Sequence, residues 1–209
     1  VHCPPTWAQY RRWLAVQTWA AVGVLAAGFA GAGRLTTLAE AHLYADEIVH
    51  AETTPYQRIV VTRWRDDLRL FLNHNLQFSS HDEYRYHEAL VHPGLAALPA
   101  ARRALVLGGG DGLALREILK YPGVEAVTLV DLDPAMTGLF ATAPPLAALN
   151  GGALTSPRVT VVNADALQWL EESREHFDFI VIDFPDPANF ALGKLYTSAF
   201  YRLLEKRLS

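Results

Sequence analysis

Four short apolar runs in the second half of the chain each lead into acid. Ala104–Leu107 runs into Gly108-Gly109-Gly110-Asp111-Gly112, and Ala126–Val130 into Asp131. Val159–Val162 leads to Asp165, and Phe177–Ile182 to Asp183-Phe184-Pro185-Asp186-Pro187. Consecutive glycines after a strand let the backbone turn sharply and approach a ligand closely at a helix start. An acid ending the second strand is placed to accept hydrogen bonds from ribose hydroxyls. One after the third strand could accept from an exocyclic adenine amine. Asp131 and Asp165 could also be plain helix caps, but with the glycine turn they fall on one side of a sheet and point to a nucleoside. Asp133, before Pro134, reads as the cap of the next helix.

The charge of Asp111 narrows the nucleoside. No phosphate lysine follows the glycines, so this is not a triphosphate loop. A pyrophosphate would meet Asp111 as a like charge, and so would the carboxylate of S-adenosylmethionine. Two anions that close in a partly dry site cost several kcal/mol, on the order expected for buried like charges. Decarboxylated S-adenosylmethionine ends in a bare propylammonium, which Asp111 would pair with. Asp183 and Asp186, three residues apart and stiffened by prolines, face the same crevice. They read either as an ordinary turn with capping aspartates or as the complement of a diamine. An amine must lose a proton before it attacks, and an aspartate assisted by a tyrosine hydroxyl could take it.

The elements that must position these residues are an alternation of strands and helices. Helices are predicted over Leu113–Lys120, from Pro134, over about Ala166 to Glu172, and over Leu195–Leu208. That pattern predicts a parallel sheet covered on both faces. Before it, about Asp46 to Ser80 reads as a small antiparallel β unit. Its predicted strands are Gln57–Thr62 and Leu68–Leu72, with turns at Arg65-Asp66-Asp67 and Asn73-His74-Asn75. Asp82 is predicted to cap a helix through Tyr84–Val91 that ends near Pro93-Gly94. The fold class is therefore α/β: a Rossmann-like, class I methyltransferase-type doubly wound parallel sheet, preceded by a β unit and an N-terminal apolar helix. The expected divisions are 1–43, 44–81 and 82–209.

Trp13 to Gly33 is a run of about 21 residues without formal charge, flanked by Arg11-Arg12 and Arg34, long enough to cross a bilayer. Ala27 and Gly31, four apart, resemble the small residues of packed membrane helices. Gln17 and Thr18 dilute the run, so an interfacial or buried helix of a soluble protein stays open. The chain has 209 residues, 51% hydrophobic and 19% charged, with a net charge of −4. Nothing in that balance suggests a nucleic-acid footprint. The single cysteine, Cys3, excludes a disulfide framework and a multi-cysteine zinc site. It makes a reduced, cytoplasmic setting the default for the folded part. Val1 at the start and a helical pattern at the end read as those of a fragment or a truncated chain.

These residues together resemble the spermidine synthases, or polyamine aminopropyltransferases, over about Tyr44 to Leu208, and most of all the bacterial members fused to transmembrane helices. The resemblance is carried by Tyr56-Gln57, Leu72–Gln77, Asp82-Glu83-Tyr84-Arg85-Tyr86-His87-Glu88, the glycine turn, Asp131-Leu132-Asp133, Asp165-Ala166 and Asp183–Pro187. It implies that Gln57, Gly108, Gly110, Asp111, Asp131, Asp165 and Ala166 hold the cosubstrate, decarboxylated S-adenosylmethionine. It further implies that Tyr86 and His87 line the junction with the amine, Asp183 accepts the proton, and Asp186 holds the distal amine of a diamine such as putrescine. Spacing alone favours a core Tyr86 and a surface His87.

No metal or further cofactor is implied, and the expected products are spermidine and methylthioadenosine. The resemblance also implies a homodimer or larger assembly, and a cell-membrane location with the catalytic part in the cytoplasm, a wholly cytoplasmic protein being the alternative. Ala188-Asn189-Phe190-Ala191 departs from the Gly-Pro-Ala of many soluble relatives, which puts amine selectivity in doubt. Relatives continue past Ser209 and supply a later tyrosine to the amine. A methyltransferase on the same fold and a non-catalytic, membrane-tethered polyamine or nucleoside sensor are the rival readings.

Overall fold

The computed structural model describes residues 7–187 and 190–209; Cys3, Ala188 and Asn189 lie outside them. By packing, the chain forms two units, one up to Ile48 and one of Val49–Ser209. The first is essentially one helix, α1 (Trp7–Leu43). Its stretch Tyr10–Gly33, 24 residues with a mean hydropathy of 1.5, is long and apolar enough to cross a membrane.

The second unit holds two four-stranded sheets. The first comprises β1 (Glu47–Thr53), β2 (Arg58–Trp64), β3 (Asp67–Leu72) and β4 (Asn75–Ser79) in that spatial order. β2–β3 and β3–β4 are antiparallel pairs. Asn73 and His74 both take positive φ, 49° and 70°, the left-handed pair that a tight hairpin turn requires. His74 is thus a tolerated left-handed residue, as expected. Two outer strands join the two predicted: β1 is largely exposed, and β4 begins at Asn75, which was expected in the turn.

The second sheet is wholly parallel. Its strands β5 (Arg103–Gly108), β6 (Ala126–Asp131), β7 (Val159–Asn163) and β8 (Phe179–Asp183) lie in the order β7-β6-β5-β8. The helices α2 (Glu83–Ala97), α3 (Leu113–Leu119), α4 (Pro134–Thr142), α5 (Pro144–Leu149), α6 (Ala166–Glu172), α7 (Phe190–Gly193) and α8 (Ser198–Glu205) complete it. β5 is central, and its side chains feed both cores. Ala104 and Val106 join one with α2, α3 and the first sheet, while Leu105 and Leu107 join the other with α6 and α8. Ile59, Val61, Leu70 and Phe78 of the antiparallel sheet belong to that first core. Phe78 meets Phe140 edge-on at 6.0 Å.

Three expectations need correction. α2 does not stop near Pro93-Gly94 but runs to Ala97, with Pro93 inside it. Burial of Val91 and Leu95 offsets the lost backbone hydrogen bond. Gly94 lies so close to the Phe179 ring that a Cβ there would come within 2.5 Å of it. Asp82 occupies the N-cap position but makes no side-chain cap; its carboxylate pairs with Arg85 Nε at 3.1 Å instead. The closing helix is broken at Thr197, whose Oγ1 accepts from Phe200 N–H, so a short 3-10 turn (Lys194–Tyr196) precedes α8.

Candidate active site

The β5 end and the β8 end meet directly. Gly108 faces Asp183 in the strand register, and Gly109 N–H donates to the Asp183 carbonyl at 3.1 Å. Gly108 has φ +80°, and a Cβ there would lie 2.1 Å from that carbonyl oxygen. Gly110 has the same restriction toward the neighbouring strand: its Cβ would fall 2.7 Å from the Asp131 carboxyl carbon. The glycine turn is therefore the space in which Asp131 and Asp183 approach it.

Asp111 follows, 8% exposed. Its Oδ1 accepts from Leu113 N–H at the start of α3, and its carbonyl accepts from the fully buried Asn150 Nδ2 at 2.9 Å. Asp131 accepts from Gly110 N–H at 3.0 Å and from Asp133 N–H at 2.9 Å. Burial, with the neighbouring Asp183 adding to it, pushes the Asp111 carboxyl up to about 6. Burial does the same to Asp131, also to about 6, against the two backbone N–H groups that oppose it.

Tyr86 and His87 come from α2 and close the site from the side. Tyr86 Oη donates to Asp183 Oδ1 at 2.8 Å. Burial and the adjacent Asp183 charge push this phenol well above its usual range, so it remains a donor. The spacing-based preference is reversed: the Tyr86 ring is exposed and His87 is buried. His87 Nε2 stands 3.9 Å from Asp183 Oδ2. One nitrogen of His87 and one oxygen each of Asp111 and Asp183 all lie within 4.8 Å of one another. Burial raises the Asp183 carboxyl, and His87 and the Tyr86 hydrogen bond only partly offset it.

The remaining predicted residues sit apart from this cluster. Asp165 does cap a helix, its Oδ1 accepting from Leu167 and Gln168 N–H, and its Oδ2 pairs with Lys194. Burial would raise it, but Lys194 and the Gln168 and Leu167 N–H groups outweigh that and hold it below the usual carboxylate range. Ala166, buried, opens that helix. Asp133 caps α4 as expected, and its other oxygen accepts from Thr54 Oγ1 at 2.8 Å and Gln57 Nε2 at 3.0 Å. Gln57 is thereby tied to the β6 end. Asp186 is exposed, beside Tyr196. Tyr196, Glu83, Arg116, Asn150 and Lys194 were missed by sequence reasoning. Only Glu83, inside the Asp82–Glu88 motif, carried any signal there.

A methyltransferase-like parallel sheet whose strand ends bring a buried Asp111 and a half-buried Asp183 to one imidazole defines a class: a Rossmann-like transferase domain. Comparison with known proteins gives the family. The spermine/spermidine synthase domain matches residues 83–209, and the chain belongs to that family. It is 64% identical to polyamine aminopropyltransferase 2 of Ralstonia nicotianae over 88% of its own length and 36% of that protein's. It is 55% identical to the polyamine aminopropyltransferase of Leptospira interrogans over 94% of its length and 39% of that protein's. The chain thus spans little more than a third of these curated relatives. A crystal structure of spermidine synthase in complex with the transition-state analogue AdoDATO superposes with a TM-score of 0.72 at 28% identity, covering 78% of this chain and 55% of that one. Spermidine synthase from Thermotoga maritima gives a TM-score of 0.70.

Proposed function

We propose that the intact protein transfers an aminopropyl group from decarboxylated S-adenosylmethionine to a diamine, putrescine first among the candidates, giving spermidine and methylthioadenosine. The observation that carries this reading is the cluster of Asp111, Asp183 and His87, with Tyr86 donating to Asp183. Asp111 takes the propylammonium of the donor, Asp131 the ribose, and Asp165 with Ala166 the adenine end. Gln57 contacts the nucleoside after exchanging its bond to Asp133. Asp183 accepts the proton of the attacking amine, its raised basicity suiting a general base. Tyr86 orients Asp183, and Asp186 with Tyr196 faces the distal amine. Transfer is a direct displacement in which alignment of nitrogen, carbon and sulfur provides much of the acceleration.

The names of the relatives above support neither a methyltransferase nor a sensor. For location, the apolar Tyr10–Gly33 supports a helix set in the cell membrane; the proposal places the second unit in the cytoplasm, a wholly cytoplasmic protein being the alternative. Assembly as a homodimer or larger goes with the same reading. The experiment is mass-spectrometric product analysis of the intact protein, given the decarboxylated donor and a mixed amine pool. A longer polyamine is expected with loss of one donor per product. Methylation of an acceptor, or binding without turnover for every common diamine, would overturn the proposal.

A further inference from the structure

Glu83 has no assigned part in this chemistry, yet it is more tightly held than any acid in the cluster it adjoins. It is 5% exposed. Arg116 of α3 grips it with both terminal nitrogens, Nη1 to Oε1 at 2.7 Å and Nη2 to Oε2 at 3.0 Å. Its Oε2 lies 2.8 Å from His87 Nδ1, and its backbone oxygen 2.9 Å from the same atom. Both partners of Nδ1 are acceptors, so Nδ1 carries a hydrogen whatever the charge of the ring. The ring is then oriented with Nε2 toward Asp183, and the second proton, when present, sits on that nitrogen.

We infer that Glu83, clamped by Arg116, is a positioning residue that keeps His87 as the removable cation of the empty site. The imidazolium proton on Nε2 stands among Asp111 and Asp183, and it passes to solvent when a substrate ammonium arrives there. This inference rests on the functional reading given above.

A buried and a half-buried carboxylate this close repel one another unless a cation stands with them. The groups facing His87 are Glu83 and Tyr86 from its own helix, Asp111 from the glycine turn and Asp183 from β8. Among these only His87 can supply the positive charge. Burial works against a charged ring, but Glu83, Asp111 and Asp183 together outweigh it and raise the imidazole above its usual range. A cationic ligand removes that reason for the charge. Arrival of an ammonium and departure of the His87 proton are therefore linked.

The linkage is measured by titration calorimetry on the intact protein, in buffers of different ionisation enthalpy, from pH about 7 to 9. That window lies above the range in which Asp111 and Asp131 titrate. Decarboxylated S-adenosylmethionine is expected to release protons as it binds, most at the lower end of this window, and methylthioadenosine, which lacks the ammonium, close to none. In Glu83→Gln the release curve moves to lower pH by about one unit and falls to half or less over this window, because the ring loses its carboxylate partner. Methylthioadenosine affinity stays within a few-fold of the unaltered protein. Glu83→Asp keeps the charge at shorter reach and gives an intermediate curve, which carries the test if the Gln form does not fold. A release curve unchanged in either variant, with both nucleosides binding normally, overturns the inference while leaving the functional reading intact. Failure of both nucleosides to bind the unaltered protein overturns both.

Discussion

Two groups of buried and half-buried carboxylates lie on either side of His87 and are balanced in opposite ways. On the α2–α3 side, Glu83 and Glu117 are surrounded by resident cations. Glu117, fully buried, pairs with Arg116, with Lys120, and with His92 Nε2 at 2.9 Å. Burial alone would raise both carboxyls, but His87 and Arg116 at Glu83, and Lys120 and Arg116 at Glu117, outweigh it and hold them below the usual carboxylate range. On the strand-end side, Asp111, Asp131 and Asp183 share backbone N–H groups, one tyrosine hydroxyl and one imidazole, and all three are pushed upward. Acids that bring their own cations hold the helices together, whereas acids left short of them are complementary to a cation from outside.

The largest effect should come from the base. Asp183→Asn keeps the shape and removes the acceptor, and product formation by the intact protein should fall about 10²–10⁴-fold. Binding of methylthioadenosine, read by calorimetry, should survive; loss of both would place Asp183 with the structural acids instead. Next, Glu117→Gln leaves Arg116 and Lys120 without their shared anion. It should cost about 2–4 kcal/mol of stability by thermal or denaturant unfolding. Asp111→Asn should do the reverse to the empty protein, leaving its stability unchanged or slightly raised. That variant should bind the decarboxylated donor about 10–100-fold more weakly, the loss of one charge-assisted hydrogen bond. A destabilised Asp111→Asn protein would break the contrast.

The same contrast has a pH signature. Asp111 and Asp131 lie at about 6, above the ordinary aspartate value of 3.8. A carboxyl raised on folding favours the folded state while protonated, and that advantage fades as pH rises through its folded value. The empty protein should therefore lose stability between pH about 4 and 6, while affinity for the cationic donor should rise over the same interval, by at most about tenfold per unit for each group. The smallest effect belongs to the surface: Asp82→Ala removes no cap and should change stability by under about 0.5 kcal/mol.

Much of this was legible because it is local. A strand that ends in glycine or aspartate announces the ligand edge of a parallel sheet, and Asp111, Asp131 and Asp183 sit there as their spacing required. Asp133 before Pro134 and His74 in a two-residue turn are equally local signals, and both hold. What escaped depends on partners far along the chain. Pro93 reads as a stop until Val91, Gly94 and Leu95 are seen packed into the first core and against Phe179. Glu83 and Glu117 look like solvated helix acids until Arg116 and His92 are brought against them. The contact of Asp165 with Lys194 spans 29 positions, and no periodicity reports it.

The Gly108–Asp183 pairing is the last rung of the parallel ladder between the buried β5 and its neighbour β8. The Asp183 carboxylate and the glycine turn, to which the proposed function gives the amine and the nucleoside, are thus parts of one bracket, not two loops brought into agreement. The distance between the two is therefore set by the register of two strands, so a shift of one rung would displace the turn from the carboxylate.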